Sequence, residues 1–142
     1  MNEIVVIDTN VFVSALLSNR GSSYALILKL GHGLFDIALS VPLVLEYEAA
    51  VKSIEVSKRP DDNSLDSILD YLCAIGVKIR IAHYLWRPCL RDPKDDHVLE
   101  LAVSAGAVSV ITFNKKDFSG IEKFGLSLFT PFEYLRRLEI LS

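Results

Sequence analysis

The chain has 142 residues, of which 51% are hydrophobic, and this is enough for one compact domain with its own core, spanning residues 1–142. A formal net charge of −3 argues against a domain that binds nucleic acid through a uniformly basic surface. The two cysteines, Cys73 and Cys89, have no paired spacing and no histidine cluster beside them, which argues against a disulfide framework and a zinc site.

The N-terminus lacks a basic segment followed by an apolar one, and no apolar run approaches the roughly 20 residues that a membrane-spanning helix needs. The chain is therefore expected to be cytoplasmic and to have no membrane partner.

The spacing of apolar residues predicts strands that alternate with helices. In chain order, the predicted elements are strand 4–7, helix 10–17, helix 24–33, strand 35–40, helix 42–56, loop 59–64, helix 65–76, strand 77–82, helix 91–106, strand 107–113, strand 126–130 and helix 131–141. Strand 4–7 is a continuous apolar run, which is typical of a strand buried on both faces. The alternation implies βαβ units, and so an α/β fold: a three-layer α/β/α sandwich around a central, mainly parallel sheet.

Two polar clusters lie where predicted strands end. Asp8 follows strand 4–7, and the segment TFNKKDF, residues 112–118, closes the strand that begins at 107. In open parallel α/β sheets the functional crevice lies beyond the carboxyl ends of the strands. Both clusters are therefore expected at that edge of the sheet.

The triplet Asp8, Thr9 and Asn10 has two interpretations. All three residue types are favoured N-caps, so the triplet could simply start helix 10–17. Thr9 or Asn10 could cap that helix alone, which would leave Asp8 available for chemistry, and this second interpretation is the one we favour.

Helix 91–106 begins with three acids. Asp92 before Pro93 is typical of an N-cap with proline at N1, and Asp95 would then lie at N3, where an acid complements the helix dipole. Asp96 begins the apolar series that continues at Leu99, so its side chain is expected to point toward the body of the protein. Periodicity alone does not separate Asp95 from Asp96 cleanly.

Two further positions add candidate acids. Glu48 is expected to pair with Lys52 one helical turn later, which leaves Glu46 as the candidate for the inner face of helix 42–56. In the segment 112–118, Asn114 could start a turn and Asp117 could cap a short helix, which is the simpler interpretation of that segment.

Several carboxylates at one edge would require a cation. Two unit charges about 4 Å apart repel by roughly 4 kcal/mol at an effective dielectric constant near 20. Mg²⁺ or Mn²⁺ suits an all-oxygen ligand set, whereas zinc would favour the Cys and His ligands that are missing here. Such ions activate water for phosphodiester cleavage.

Four segments, in order and with suitable spacing, together resemble the PIN domain family, especially its stand-alone prokaryotic members described as toxins of toxin–antitoxin pairs. These segments are VVIDTNVFVSALL, SVPLVLEY, RDPKDDHVLELAVSAGA and VITFNKKDF. The resemblance implies a metal-dependent endoribonuclease acting on single-stranded RNA. It also implies a homodimer and a small antitoxin partner.

The resemblance carries over to individual residues. The metal-binding and catalytic acids would be Asp8, Glu46, Asp96 and Asp117, with Asn114 as the alternative in the fourth place. Many relatives have an acid where this chain has Asn114. This difference argues against a second metal ion, because a neutral amide binds a cation less strongly than a carboxylate does. The candidates for substrate contact are Thr9, Asn10, Thr112, Asn114 and Lys115, and His97 is expected on the helix surface instead of acting as a general base.

Other interpretations stay open. A haloacid-dehalogenase-like phosphatase would need a second aspartate at position 10, where this chain has Asn10. An inactive PIN-like module that binds RNA or acts as a scaffold is favoured by Asn114 and by the acidic composition. The candidates for a positive rim, each of which could equally be a solvated face, are Arg87 with Arg91, Lys115 with Lys116, and Arg136 with Arg137.

Overall fold

The computed structural model describes residues 2–80, 90 and 95–141. Its strands and α-helices are, in chain order, β1 (Ile4–Ile7), α1 (Thr9–Leu17), α2 (Ser22–Leu28), β2 (Asp36–Leu39), α3 (Val41–Lys52), α4 (Asp62–Ile75), β3 (Val77–Lys78), α5 (Asp96–Ala105), β4 (Ser109–Ile111), β5 (Ser127–Phe129) and α6 (Pro131–Leu141). Short 3₁₀ helices lie at Val56–Lys58, Lys115–Phe118 and Ile121–Phe124.

The five strands form one parallel sheet in the order β3-β2-β1-β4-β5. This confirms the predicted α/β sandwich with its central parallel sheet. The chain leaves β1 toward β2 on one side and returns to β4 on the other, so the strand order reverses between β1 and β4. Ligand crevices in such sheets lie at this reversal, beyond the carboxyl ends of the strands.

The central strand is buried as the continuous apolar run predicts. Val5, Val6 and Ile7 are almost fully shielded from solvent, because helices cover the sheet. The ring of Tyr47 on α3 stacks on Phe12 of α1, with ring centroids 4.4 Å apart and planes 15° from parallel. This stack packs α3 against the first helix, close to the end of β1.

Local capping sets several helix boundaries. Ser40 caps α3 by accepting a hydrogen bond from the Leu43 N–H at 3.3 Å, and Gly106 ends α5 in the left-handed conformation with φ +66°. Helix α4 starts inside the predicted loop, because the Asp61 carboxylate accepts from the Ser64 N–H at 2.7 Å. Helix α3 ends at Lys52, four residues before the predicted end, and the hydroxyl of the next residue, Ser53, donates to the Ala50 carbonyl of the helix.

The start of α5 differs from the prediction. The helix begins at Asp96, and Asp95 occupies the N-cap instead of N3, without a side-chain capping bond. Asp92 and Pro93, the predicted N-cap and N1 residues, lie outside the described residues, as do residues 81–82 of predicted strand 77–82. Strand β3 already ends at Lys78, so the strand prediction is too long at Ile79 and Arg80.

Within the described ranges, no single helix is long and apolar enough to cross a membrane; only α1 and α2 taken together, bent by 95°, satisfy the length and composition test.

Candidate functional site

Asp8 lies at the junction of the two central strands. Its N–H donates to the carbonyl of Ile111 at 2.9 Å, so β1 and β4 are still paired where its side chain emerges. The carboxylate is buried; Oδ1 accepts from the Thr9 N–H at 2.9 Å and Oδ2 accepts from the Thr112 hydroxyl at 2.7 Å. Asp8 is itself the N-cap of α1, so the prediction that Thr9 or Asn10 caps this helix alone is wrong.

Glu46 faces the end of β1 from α3. The Thr9 hydroxyl donates to Glu46 Oε2, and His97 Nε2 lies 3.3 Å from Glu46 Oε1. Glu48, on the outer side of the same helix, pairs with Lys52 at 3.6 Å, as predicted. The helix therefore turns one acid toward the sheet edge and the other toward solvent.

Asp96 opens α5 at the same edge. Because α5 leads into β4, which runs parallel to β1, the first turn of α5 lies where the strands end. The Asp96 side chain is fully buried, and its Oδ1 accepts from the Leu90 N–H at 2.9 Å. Asp95 is only half-buried, so Asp96 is the acid that the apolar spacing turns inward.

His97 is not the surface residue that the sequence suggested. Its side chain is only 19% exposed, because α5 packs against α3 and brings the imidazole to Glu46. In the described part of the chain its Nδ1 is buried without a hydrogen-bond partner. No sequence signal indicates this contact, since the two residues lie 51 positions apart.

The two acids nearest the end of β1 have pKa values shifted in opposite directions. Burial raises the pKa of Asp8, and the negative charge of Glu46 adds to this; the hydrogen bonds from Thr112 and Thr9 and the charge of His97 oppose it. The hydrogen bond with His97 is the main cause that lowers the pKa of Glu46, with help from Thr9. Carboxyl groups whose environments separate their pKa values are typical of acid–base and metal sites.

The Thr112 hydroxyl connects the predicted substrate residues to Asp8. Thr112 Oγ1 accepts from the Asn114 N–H at 3.0 Å and from Asn10 Nδ2 at 3.4 Å, while it donates to Asp8. Asn10 Oδ1 in turn accepts from the Phe113 N–H at 3.4 Å. These polar groups are already engaged inside the protein and hold the Asp8 carboxylate in one orientation.

Asp117 is set apart from the other predicted acids. It is half-buried in the 3₁₀ helix that follows β4, and among the described residues it makes no hydrogen bond with Asp8, Glu46 or Asp96. Together with Asn114, whose side chain is exposed, it lines a neighbouring concavity. The fourth position of the acidic set stays a prediction.

The donor chemistry at the end of β1 fits a hard divalent cation. Asp8 has no Lys or Arg partner in the described ranges, and its two hydrogen bonds leave lone pairs free on a carboxylate with about four acceptor positions. No three His, Cys, Asp or Glu side chains among residues 2–80, 90 and 95–141 lie close enough together to hold a metal ion. Mg²⁺ commonly binds through one or two carboxylates and water, and this arrangement can offer that many.

Among the described residues, the predicted positive rim is divided between the two edges of the sheet, with Lys115 and Lys116 beside the candidate site. Arg137 on α6 pairs with Glu3, just before β1, at 3.1 Å, which places it at the opposite edge of the sheet. Lys115 is at the expected edge but lies 2.5 Å from Glu133 Oε1. Arg87 and Arg91 are outside the described residues.

Comparisons with known proteins agree with this architecture. Residues 4–116 match the family model of the PIN domain. The comparison with curated proteins finds no match. Among solved structures, the crystal structure of VapBC2 from Rickettsia felis bound to a DNA fragment from their promoter is similar, with a TM-score of 0.57 and 17% sequence identity, over 89% of this chain and 98% of that chain. At this identity the likeness shows the fold.

Proposed function

The chain belongs to the PIN domain family, and on that premise we propose that it is a metal-dependent endoribonuclease that cleaves single-stranded RNA. The observation that carries the proposal is the series of contacts at the end of β1, in which Thr9 links the buried carboxylate of Asp8 to Glu46. This series lies where the strand order reverses, the place at which open parallel sheets bind ligands.

Asp8 is the proposed principal ligand for Mg²⁺ or Mn²⁺, with Glu46 and Asp96 as its partners and Asp117 as the fourth candidate. Bound there, the cation supplies a Lewis acid for phosphodiester hydrolysis. The protein's own contribution is to hold the carboxylates. The Thr112 hydroxyl fixes Asp8, and the Thr9 hydroxyl and the His97 ring fix the two oxygens of Glu46. Fixed ligands of this kind limit reorganisation when charge develops on the phosphate.

The direct test is cleavage of a labelled single-stranded RNA by wild type and by Asp8→Asn, with Mg²⁺ or Mn²⁺ and with EDTA. Wild type should cleave only with the divalent ion, and Asp8→Asn should lose that cleavage while staying folded in a thermal melt. The matched control is Asp66→Asn, the same change at an exposed acid on α4. Cleavage that survives in Asp8→Asn, or that persists in EDTA, would contradict the assignment.

The resemblance to stand-alone prokaryotic PIN domains supports a finer proposal, that the chain is the toxin of a toxin–antitoxin pair and is inhibited by a small antitoxin. Homodimer formation and a cytoplasmic location belong to the same proposal. Expression in a bacterium should arrest growth for wild type and not for Asp8→Asn, and a small protein encoded beside it should relieve the arrest. Equal growth of the two strains would exclude toxicity through this site.

An inactive RNA-binding or scaffold module is the second candidate function. The neutral amide of Asn114 favours it, as does the finding that the described residues contain no group of three acids close enough to hold a metal ion. Calorimetric titration with Mn²⁺ discriminates the two, because an active site should bind the ion in wild type and bind it more weakly in Asp8→Asn. The haloacid-dehalogenase-like alternative does not fit a chain of the PIN family.

A further inference from the structure

The loop after β4 presents an exposed aromatic ring beside the candidate site. Phe113 follows Thr112, the residue whose hydroxyl binds Asp8, and yet 47% of its surface is exposed. Its N–H donates to Asn10 Oδ1, and the next N–H, of Asn114, donates to Thr112 Oγ1. The backbone at Phe113 is therefore hydrogen-bonded to Asn10 and Thr112, which keeps this part of the loop close to the Asp8 carboxylate.

Phe113 lines a shallow concavity of about 520 Å³ next to that site. The other lining residues are Asn114, Lys115, Lys116, Asp117 and Thr130. Glu133 pairs with Lys115, whereas Lys116 is exposed and makes no ion pair in the described part of the chain. The concavity thus combines an accessible aromatic face with an ammonium group that is available to an anion.

We propose that this concavity is a subsite for one unpaired nucleotide of the RNA, whose base stacks on Phe113 and whose phosphate lies beside Lys116. The inference rests on the proposed function and deepens it, since the nucleotide would be a neighbour of the one that is cleaved. Aromatic faces accept any base by stacking, and single-stranded RNA exposes the bases that a duplex hides. The ammonium group of Lys116 also provides a local positive charge through which a chain of net charge −3 can bind an anionic RNA strand.

The stacking part of the proposal is tested by binding two labelled single strands of equal length, one a normal RNA and one an abasic ribose-phosphate. Every variant in this titration also carries Glu46→Gln, which is expected to prevent cleavage of the RNA in Mg²⁺. The side chain of Glu46 contacts Thr9 and His97 and does not contact the loop that holds Phe113. Phe113→Ala should bind the normal RNA roughly 5- to 150-fold more weakly and the abasic strand equally well. Phe113→Trp should restore binding of the normal strand.

The phosphate part predicts a different signature. Lys116→Gln should weaken both strands alike and reduce the slope of log K against log salt concentration by about 0.7, the value for one phosphate contact on a single strand. Phe113→Ala should leave that slope unchanged. The chain offers a matched control pair in Lys123 and Phe124, where an ammonium lies 5.4 Å from the centre of a ring that is 37% exposed. This pair precedes β5, at the edge where the strands begin, so Phe124→Ala and Lys123→Gln should change neither affinity nor slope.

The outcomes separate the subsite from the function. If wild type cleaves RNA but Phe113→Ala binds the normal strand as well as its parent does, the subsite is wrong and the nuclease stands. If Phe113→Ala loses as much affinity for the abasic strand as for the normal RNA, the proposed base stacking is also wrong. Loss of affinity for a protein partner with RNA affinity unchanged would make this loop a protein interface instead. If the parent protein binds no RNA and wild type cleaves none, the proposed function and the subsite fail together.

Discussion

Removal of a single buried hydroxyl, by Tyr47→Phe, is expected to destabilise the protein measurably. Tyr47 is almost fully buried on α3, and its hydroxyl donates to the carbonyl of Ile7 at 2.5 Å. The paired register of β1 with β2 runs only to Val5 and Ile37, while Ile7 is paired with Ile111 of β4 on its other side, so this hydroxyl donates to a carbonyl beyond the residues that β2 pairs. The phenylalanine would keep the stack on Phe12 and would leave the carbonyl without its donor.

The size of the effect follows from this geometry. A buried polar group left without a partner costs about 1–3 kcal/mol. With an unfolding entropy of about 2.1 cal/mol/K per residue, a chain of this length should lose about 3–10 °C in melting temperature. The measurement is urea and thermal unfolding followed by far-UV circular dichroism.

The matched control is Tyr71→Phe. The Tyr71 hydroxyl also donates to a backbone carbonyl, that of Leu30 at 3.3 Å, but the side chain is half exposed, so water can replace the bond. This variant should change stability by no more than about 0.5 kcal/mol. A loss below about 0.5 kcal/mol for Tyr47→Phe, or equal losses for the two variants, would refute the argument that the Ile7 carbonyl depends on Tyr47.

Three further predictions concern the site. Burial raises the pKa of Asp8, so the folded protein favours the protonated carboxyl, and Asp8→Asn should stabilise the metal-free protein at neutral pH. This gain in the free energy of unfolding should vanish as the pH falls below 3.8, the ordinary pKa of an aspartate. A large loss of stability at neutral pH would show instead that helix α1 needs the charged carboxylate as its N-cap. His97→Leu should raise the pKa of Glu46 toward its ordinary value of 4.5, seen by NMR titration of the carboxyl carbon, with the exposed His32→Leu as a control that leaves it unchanged. Asn114→Asp should tighten Mn²⁺ binding in calorimetry, and an unchanged affinity would remove that side chain from the site.

The sequence was sufficient for several features whose determinant is local, although it missed the helix caps at Asp8, Asp61 and Ser53. The uninterrupted apolar run predicted both ends of β1 correctly, and the predicted start of α3 and end of α5 each lie one residue from the observed ones. The apolar spacing also turned Asp96 inward, because a helix with one buried face fixes the direction of every side chain on it. The parallel order of strands and helices brought Asp8 and the segment after β4 to one edge.

Only the tertiary structure decided which side chains meet at that edge. The contacts of Glu46 with Thr9 and with His97 span 37 and 51 residues, and the contact of Thr112 with Asp8 spans 104. Such contacts depend on how α3 and α5 pack across the end of the sheet. The periodicity of apolar residues predicts which face of a helix is buried, but it does not predict which other element that face contacts. The same packing carries Arg137 to the far edge, to Glu3. Local preferences therefore determined the elements and their order, whereas the surroundings of each charge came from the packing of elements distant in the chain.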